Sequence, residues 1–161
     1  MLYKRKLNKR TDYKKRLKHL LGRKPRLVIR KSNSQIYVQI IEYFPNGDKT
    51  LVSATSRELL KLNYKGSIKN TPSAYLTGML IAKKARERAI KTAIVDIGFH
   101  NNKKGSLIFA LVKGAKDAGL DLSIDDSILP KESRIRGEHI ENFKKIDMPK
   151  IFEEVKLKLT E

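Results

Sequence analysis

Three short apolar runs, 27–29, 36–42 and 50–54, follow one another with only turn residues between them. In the second, Ile36, Val38 and Ile40 alternate toward one face, the period of a half-buried strand. Ser32 to Ser34, and then Pro45, Asn46, Gly47 and Asp48, supply the turns. Strands this close in sequence pair as an antiparallel meander, because a parallel pair needs a crossover of a dozen or more residues. Such a crossover comes next. Thr71 followed by Pro72 reads as N-cap and first position of a helix that runs to about Ile90. Ala74, Gly78, Ile81, Ala82, Ala85 and Ala89 line one side of it, small enough to let the helix lie close on a sheet. The apolar run 92–97 then has strand length, and a strand, helix, strand unit favours a right-handed crossover that sets this strand parallel to an earlier one. The expected class is α/β: a mixed sheet, antiparallel meander plus parallel crossover strand, with packed helices.

The flanks are less regular. A helix capped by Ser106 and stopped by Gly119 carries Leu107, Leu111, Ala115 and Ala118 inward. Residues 63–71 read as a polar connection, and Tyr37 as a core residue. Near the end, Asp147 and Pro149 start a short helix with Ile151, Phe152 and Val155 as its apolar contacts. A length of 161 residues suits one domain with appendages. We divide it into a basic arm and helix (1–24), an α/β core (25–120) and a C-terminal extension with a short helix (121–161).

Charge decides the class of partner. Lys and Arg fill 14 of the first 31 positions against one acid, Asp12, so this segment carries +13 of a total of +19. Residues 1–10 have no hydrophobic period and are expected to be disordered or extended on their own. Thr11 is the expected N-cap of a helix in which Tyr13, Leu17, Leu20 and Leu21 share a face and Gly22 is the stop. Lys14, Lys15, Arg16 and Lys18 occupy its other faces. Charge of one sign repels itself along a helix, so an ordinary solvated amphipathic helix fits less well than one that meets a polyanion. From Asp117 onward the balance reverses, with 11 acids against 8 bases. No run approaches the roughly 18 apolar residues that cross a bilayer, no signal-peptide core is present, and the cations are not confined to one helix face. The expectation is a soluble cytoplasmic protein whose polyanion is nucleic acid rather than a membrane.

Several chemistries are excluded. The absence of Cys removes disulfides, Cys-ligated zinc and a thiol nucleophile. His19, His100 and His139 stand on different elements without helical metal spacing. No cofactor or small-molecule substrate is expected. The loop GFHNNKKGS has Gly98 and Gly105 too far apart, and no Lys immediately before Ser106, for a nucleotide-binding P-loop. Lys103 and Lys104 can sit near a phosphate of a larger polyanion at the start of the 106 helix, or the loop can simply be solvated. Asp96 is the one carboxylate inside an apolar strand. It reads as a hydrogen-bond acceptor or the partner of a cation, since a two-metal nuclease needs several converging acids. Tyr3, Tyr13 and Tyr37 can stack on unpaired bases or pack in the core, with core packing ahead for Tyr37.

Eight blocks, in order, resemble the archaeal form of the large-subunit ribosomal protein family that binds 5S ribosomal RNA, the L-eighteen family, whose eukaryotic relatives are called L-five. They are TDYKKRLKHLL (11–21), KPRLVIRKSN (24–33), GDKTLVSATS (47–56), AYLTG (74–78), DIGFH (96–100), KGS (104–106), DAGL (117–120) and ILPKESRIRGEHI (128–140). The resemblance implies a ribonuclease-H-like sheet without its catalytic acids, no enzymatic activity, and a place in the central protuberance of the large subunit. There the protein would hold 5S RNA against the large ribosomal RNA. By that similarity the basic segment meets RNA through Arg5, Lys6, Lys9, Arg10, Thr11 and Tyr13, then Lys14, Lys15 and Arg16, then Arg23, Lys24 and Arg26. Arg30, Lys31 and Asn33 follow at the strand end, and His100, Asn101, Lys103 and Lys104 on the loop. The C-terminal part, with Arg134 and Arg136, is where further RNA contacts and neighbouring large-subunit proteins are expected. The alternatives are a metal-dependent nuclease on a ribonuclease-H-like sheet and a generic RNA chaperone.

Overall fold

The alternation around residues 26–55 is realised as an antiparallel meander. The computed structural model, which describes residues 4–8, 11–144 and 147–160, begins with two basic helices, α1 (Lys4–Leu7) and α2 (Tyr13–Leu21). Strands β1 (Arg26–Lys31), β2 (Ile36–Glu42) and β3 (Lys49–Thr55) follow, with β2 antiparallel to both neighbours. A 3-10 helix, Ser56–Leu62, leads to α3 (Thr71–Glu87), and β4 (Thr92–Asp96) returns parallel to β1. Helix α4 (Leu107–Asp117) and the short strand β5 (Asp121–Leu122), parallel to β4, complete a five-stranded sheet of order β3-β2-β1-β4-β5. A 3-10 turn at Asp126–Ile128 and the helices α5 (Glu132–Arg136), α6 (Glu138–Lys144) and α7 (Met148–Thr160) follow.

One face of the sheet makes the main core. Leu27, Ile29, Ile36, Val38, Ile40 and Ala54 are buried in one cluster with Ala74, Ile81 and Ala85 of α3 and Leu111 and Ala115 of α4. Because strand side chains alternate, Arg26, Val28 and Arg30 point to the opposite face, as do Tyr37 and Gln39. Tyr37 is therefore not a core residue; it is 41% exposed, out of register with its buried neighbours Ile36 and Val38.

Ala74, Ile81, Ala82 and Ala85 of α3 pack in the sheet's cluster as expected, but Gly78 serves a different neighbour. A Cβ at Gly78 would run into the carbonyl of Leu111, and one at Gly114 into the carbonyl of Tyr75, so each helix has a glycine where the other's backbone passes. The close approach is helix to helix, not helix to sheet. A second cluster lies beyond it, where Tyr75, Leu76 and Met79 of α3 bury Ile135, Met148, Phe152, Val155 and Leu159 of the C-terminal helices. Rings of Tyr75 and Phe152 stand 5.5 Å apart, a tilted aromatic pair.

Local boundaries differ in detail. Asn70, not Thr71, caps α3: its Oδ1 accepts from Ser73 N at 2.8 Å while Ser73 Oγ accepts from Asn70 N at 3.1 Å, a reciprocal capping box. Helix α3 ends at Glu87, and Ala89, with φ of 56°, lies past it and outside the stripe. Asp12, not Thr11, caps α2, accepting from Lys14 N and Lys15 N at 3.1 and 3.2 Å. Ser106 holds the N-cap position of α4 without a capping hydrogen bond from its side chain. Lys4–Leu7 is a helical turn rather than an extended arm. The 63–70 connection is anchored, since buried Tyr64 donates to Asn70 Oδ1 at 3.0 Å. That burial pushes the Tyr64 phenol up to about 12.

Candidate nucleic-acid interface

The second face of the sheet is where the basic segment docks. Arg26 projects from β1 onto this face and is 5% exposed. Its Nη1 donates to Asp96 Oδ2 at 3.0 Å and its Nη2 to Asp48 Oδ2 at 2.7 Å. Asp48 Oδ1 accepts from Arg16 Nη2 of α2 at 2.9 Å. Asp96 Oδ1 accepts from Gly98 N at 2.9 Å. Both acids are thus taken up in holding the helix, the β2–β3 turn, β1 and β4 together. At the end of α2, Gly22 packs on Ile94; a Cβ there would fall 2.6 Å from the Ile94 Cδ1.

Two expectations change as a result. Arg26 is withdrawn from the surface cations, because both terminal nitrogens of its guanidinium are spent on carboxylates and the side chain is buried. The apolar stripe of α2 is not buried either: no residue of the helix is, and Leu17 and Leu21 are 62% and 75% exposed. Arg16 and the Gly22 contact help hold the helix, while Leu17 and Leu21 stay exposed and Leu20 is half-buried.

What remains is a cleft of about 260 Å³ between α2 and the sheet, lined by Lys15 and Arg16 of the helix, Arg30 of β1 and Gln39 of β2. Arg30 is exposed, donates from Nη1 to its neighbour's carbonyl, Ile29 O, at 2.9 Å, and lies against Gly98. Lys31 N donates to His100 Nε2 at 3.3 Å, which ties the 98–105 loop to the end of β1. An accepting Nε2 puts the proton of a neutral imidazole on Nδ1. Partial burial, then the charges of Arg30 and Lys31, hold the His100 pKa below its ordinary value. Asn33, Asn101 and Lys103 are exposed on the turn and loop beside this strand end, and Lys14, Arg23 and Lys24 are exposed at α2. Thr11 and Tyr13 flank the helix start. For Arg5 and Lys6 only the backbone of α1 is described; Tyr3, Lys9 and Arg10 lie outside the described residues.

A protein-family model described as ribosomal large subunit proteins 60S L5, and 50S L18, matches residues 1–93. The chain belongs to that family. Its surroundings are accordingly those of a large-subunit ribosomal protein, ribosomal RNA and other ribosomal proteins. The matched span covers both basic helices, the whole meander and α3, and it ends inside β4; the 98–105 loop, α4 and the C-terminal helices lie past it.

In this family member a second basic cleft of about 590 Å³ opens past the matched span. Lys104 of the loop meets Lys131, Arg134 and His139 there, which joins two residues expected from sequence and two that were not. Partial burial, then Arg134, lower the His139 pKa. Arg136 turns elsewhere, its Nε 3.8 Å from Glu153 of α7. Among the described residues no group of three or more His, Asp or Glu is placed to hold a metal, and none of the described helices is long and apolar enough to cross a membrane. Asp48 and Gln39 were missed as site residues. The period-two pattern of β1 and β2 was the available signal for Gln39; nothing local marked Asp48.

Proposed function

We propose that this large-subunit protein binds 5S ribosomal RNA and fastens it to the large ribosomal RNA in the central protuberance of cytoplasmic ribosomes, as a structural, non-enzymatic component. The observation that carries this reading is the cleft lined by Lys15 and Arg16 of α2 and Arg30 of β1. Two rigid elements there hold cations in a fixed relative direction, which suits a folded RNA with closely spaced phosphate backbones better than a flexible polycation would. His100, Lys103 and Asn33 extend the contact along the strand end, and the Lys104 and Arg134 cleft supplies a second basic surface for the large RNA. The ion pair of Asp96 with Arg26 and its hydrogen bond from Gly98 N weigh against the nuclease reading, because both carboxylate oxygens already have partners within the chain.

The test is a salt series of binding to refolded 5S RNA with transfer RNA as competitor. Each neutralised phosphate contributes a log-log slope of about −0.7 to −0.9. Equal affinity for both RNAs would reject specific recognition and leave a generic chaperone. A variant lacking residues 1–24 should fold, since among the described residues none before Leu27 belongs to either core cluster, and should bind far more weakly. Unchanged binding would remove α2 from the interface.

A further inference from the structure

Beside α2, on the side of its uncovered leucines, the β2–β3 turn exposes two neighbouring aromatic residues, Tyr43 at 50% and Phe44 at 43%. With Pro45 they face Tyr13, Arg16 and Leu17 across a groove of about 590 Å³. Among the described residues neither Tyr43 nor Phe44 belongs to either core cluster, and both rings stay about half exposed. Among the described residues that line the groove, Asp48 is the one acid, already held by Arg16 and Arg26. Exposed Lys14 and Lys18 of α2 and Lys49 at the start of β3 add positive charge around it.

We infer that this groove receives an unpaired nucleobase of the bound RNA, stacked on Phe44 or Tyr43, with its phosphate drawn to the cations of α2. Aromatic planes beside a guanidinium are the surface on which a splayed-out base is held, since every base has a π face. A base inside a duplex cannot reach such a groove, so the occupant is a looped, bulged or single-stranded nucleotide. The excess of +13 in residues 1–31 favours a polyanion over an apolar peptide. This inference rests on the RNA-binding reading above and adds a non-electrostatic contact to it.

The chain has no Trp, so Phe44→Trp places its only tryptophan in the groove, excited selectively at the red edge where tyrosine does not absorb, and Phe143→Trp, at a position 85% exposed on α6, is the control. Titration with refolded 5S RNA should quench the first strongly and the second little. Phe44→Leu, which keeps apolar bulk but loses the ring, should weaken binding by about 5- to 100-fold with the salt slope unchanged, because stacking releases no counterions. Parental affinity in Phe44→Leu together with an unquenched Phe44→Trp, while the parent still binds RNA, overturns the stacking groove and leaves the 5S reading standing. If the parent fails to distinguish 5S from transfer RNA, the earlier reading falls. Quenching of Phe44→Trp by a short single-stranded oligoadenylate then upholds the groove, and its absence overturns it. A dimer in sedimentation that Phe44→Ser dissolves would give the groove to a second copy and also overturn it.

Discussion

A methyl group at Gly78 pits helix propensity against packing, and the two predict opposite signs. Gly78 lies in the middle of α3, where Ala is preferred to Gly by about 1 kcal/mol, so propensity alone makes Gly78→Ala stabilising. The new Cβ, however, would fall 2.9 Å from Ala115 N and closer still to the Leu111 carbonyl oxygen. Both atoms belong to the backbone of α4, which cannot rotate aside as a side chain can. The helices must part by roughly an ångström, a gap that forfeits about a quarter to a half of the attraction between the facing atoms. One extra methylene in a core that can adjust costs about 1–3 kcal/mol. With backbone as the obstacle the top of that range applies, and a net loss of about 2 kcal/mol remains after the propensity credit. Urea unfolding followed by circular dichroism should show a lower midpoint at unchanged m-value, and Tm should fall by about 4–8 °C. Gly114→Ala should behave alike, and the double variant should lose less than the sum by about 1 kcal/mol, because one gap serves both. A Gly78→Ala protein as stable as the parent would refute the close approach.

Arg26→Met strands Asp96 and should cost about 3 kcal/mol by urea unfolding; a change below about 0.5 kcal/mol would mean that the buried ion pair is not formed. Arg30→Gln and Lys31→Gln should leave stability within about 0.5 kcal/mol while each reduces the salt slope of RNA binding by about 0.7–0.9, and an unchanged slope would place the phosphates elsewhere. Phe152→Ala should cost about 3–5 kcal/mol in thermal unfolding, because Phe152 fills the second cluster against Tyr75; a loss below about 1 kcal/mol would detach α7 from the core. The His100 imidazole should titrate below its ordinary 6.5 by NMR. Between the two values the unfolded chain holds a proton the folded chain lacks, so the stability linked to neutral His100 is fully present above 6.5 and falls away as pH drops through the folded value. A midpoint at or above 6.5 would place the ring away from Arg30 and Lys31.

The meander and the parallel return of β4 were legible because each depends on a short local pattern: alternation at Ile36, Val38 and Ile40, turn residues at 45–48, and an apolar run after a helix. The stop at Gly119, with φ of 95°, was legible for the same reason. Partners distant in sequence were not. Small residues on α3 announce a close approach but not its object, which is decided by where α4 returns. Thr11 and Asp12 are adjacent and both good N-caps, so the boundary between them turned on which side chain takes the first amides, and Asp12 takes two. Helices α5 and α6 are too short to show a period and are stabilised through tertiary contacts such as Ile135. At the interface the excess of cations could be counted from the chain, whereas the loss of Arg26 could not. Its two carboxylates come from a turn 22 residues away and a strand 70 residues away.

Asp48 gives the interface a property beyond holding it together. Its two oxygens serve different arginines, Arg16 on the helix and Arg26 in the sheet. When a phosphate competes for Arg16, the carboxylate keeps its partner in Arg26, and no buried charge is orphaned by the exchange. The latch between α2 and the sheet can therefore be released from the helix side alone. If RNA binds this cleft as proposed, its phosphate would replace the Asp48 carboxylate on Arg16 while the Arg26 ion pairs stay closed.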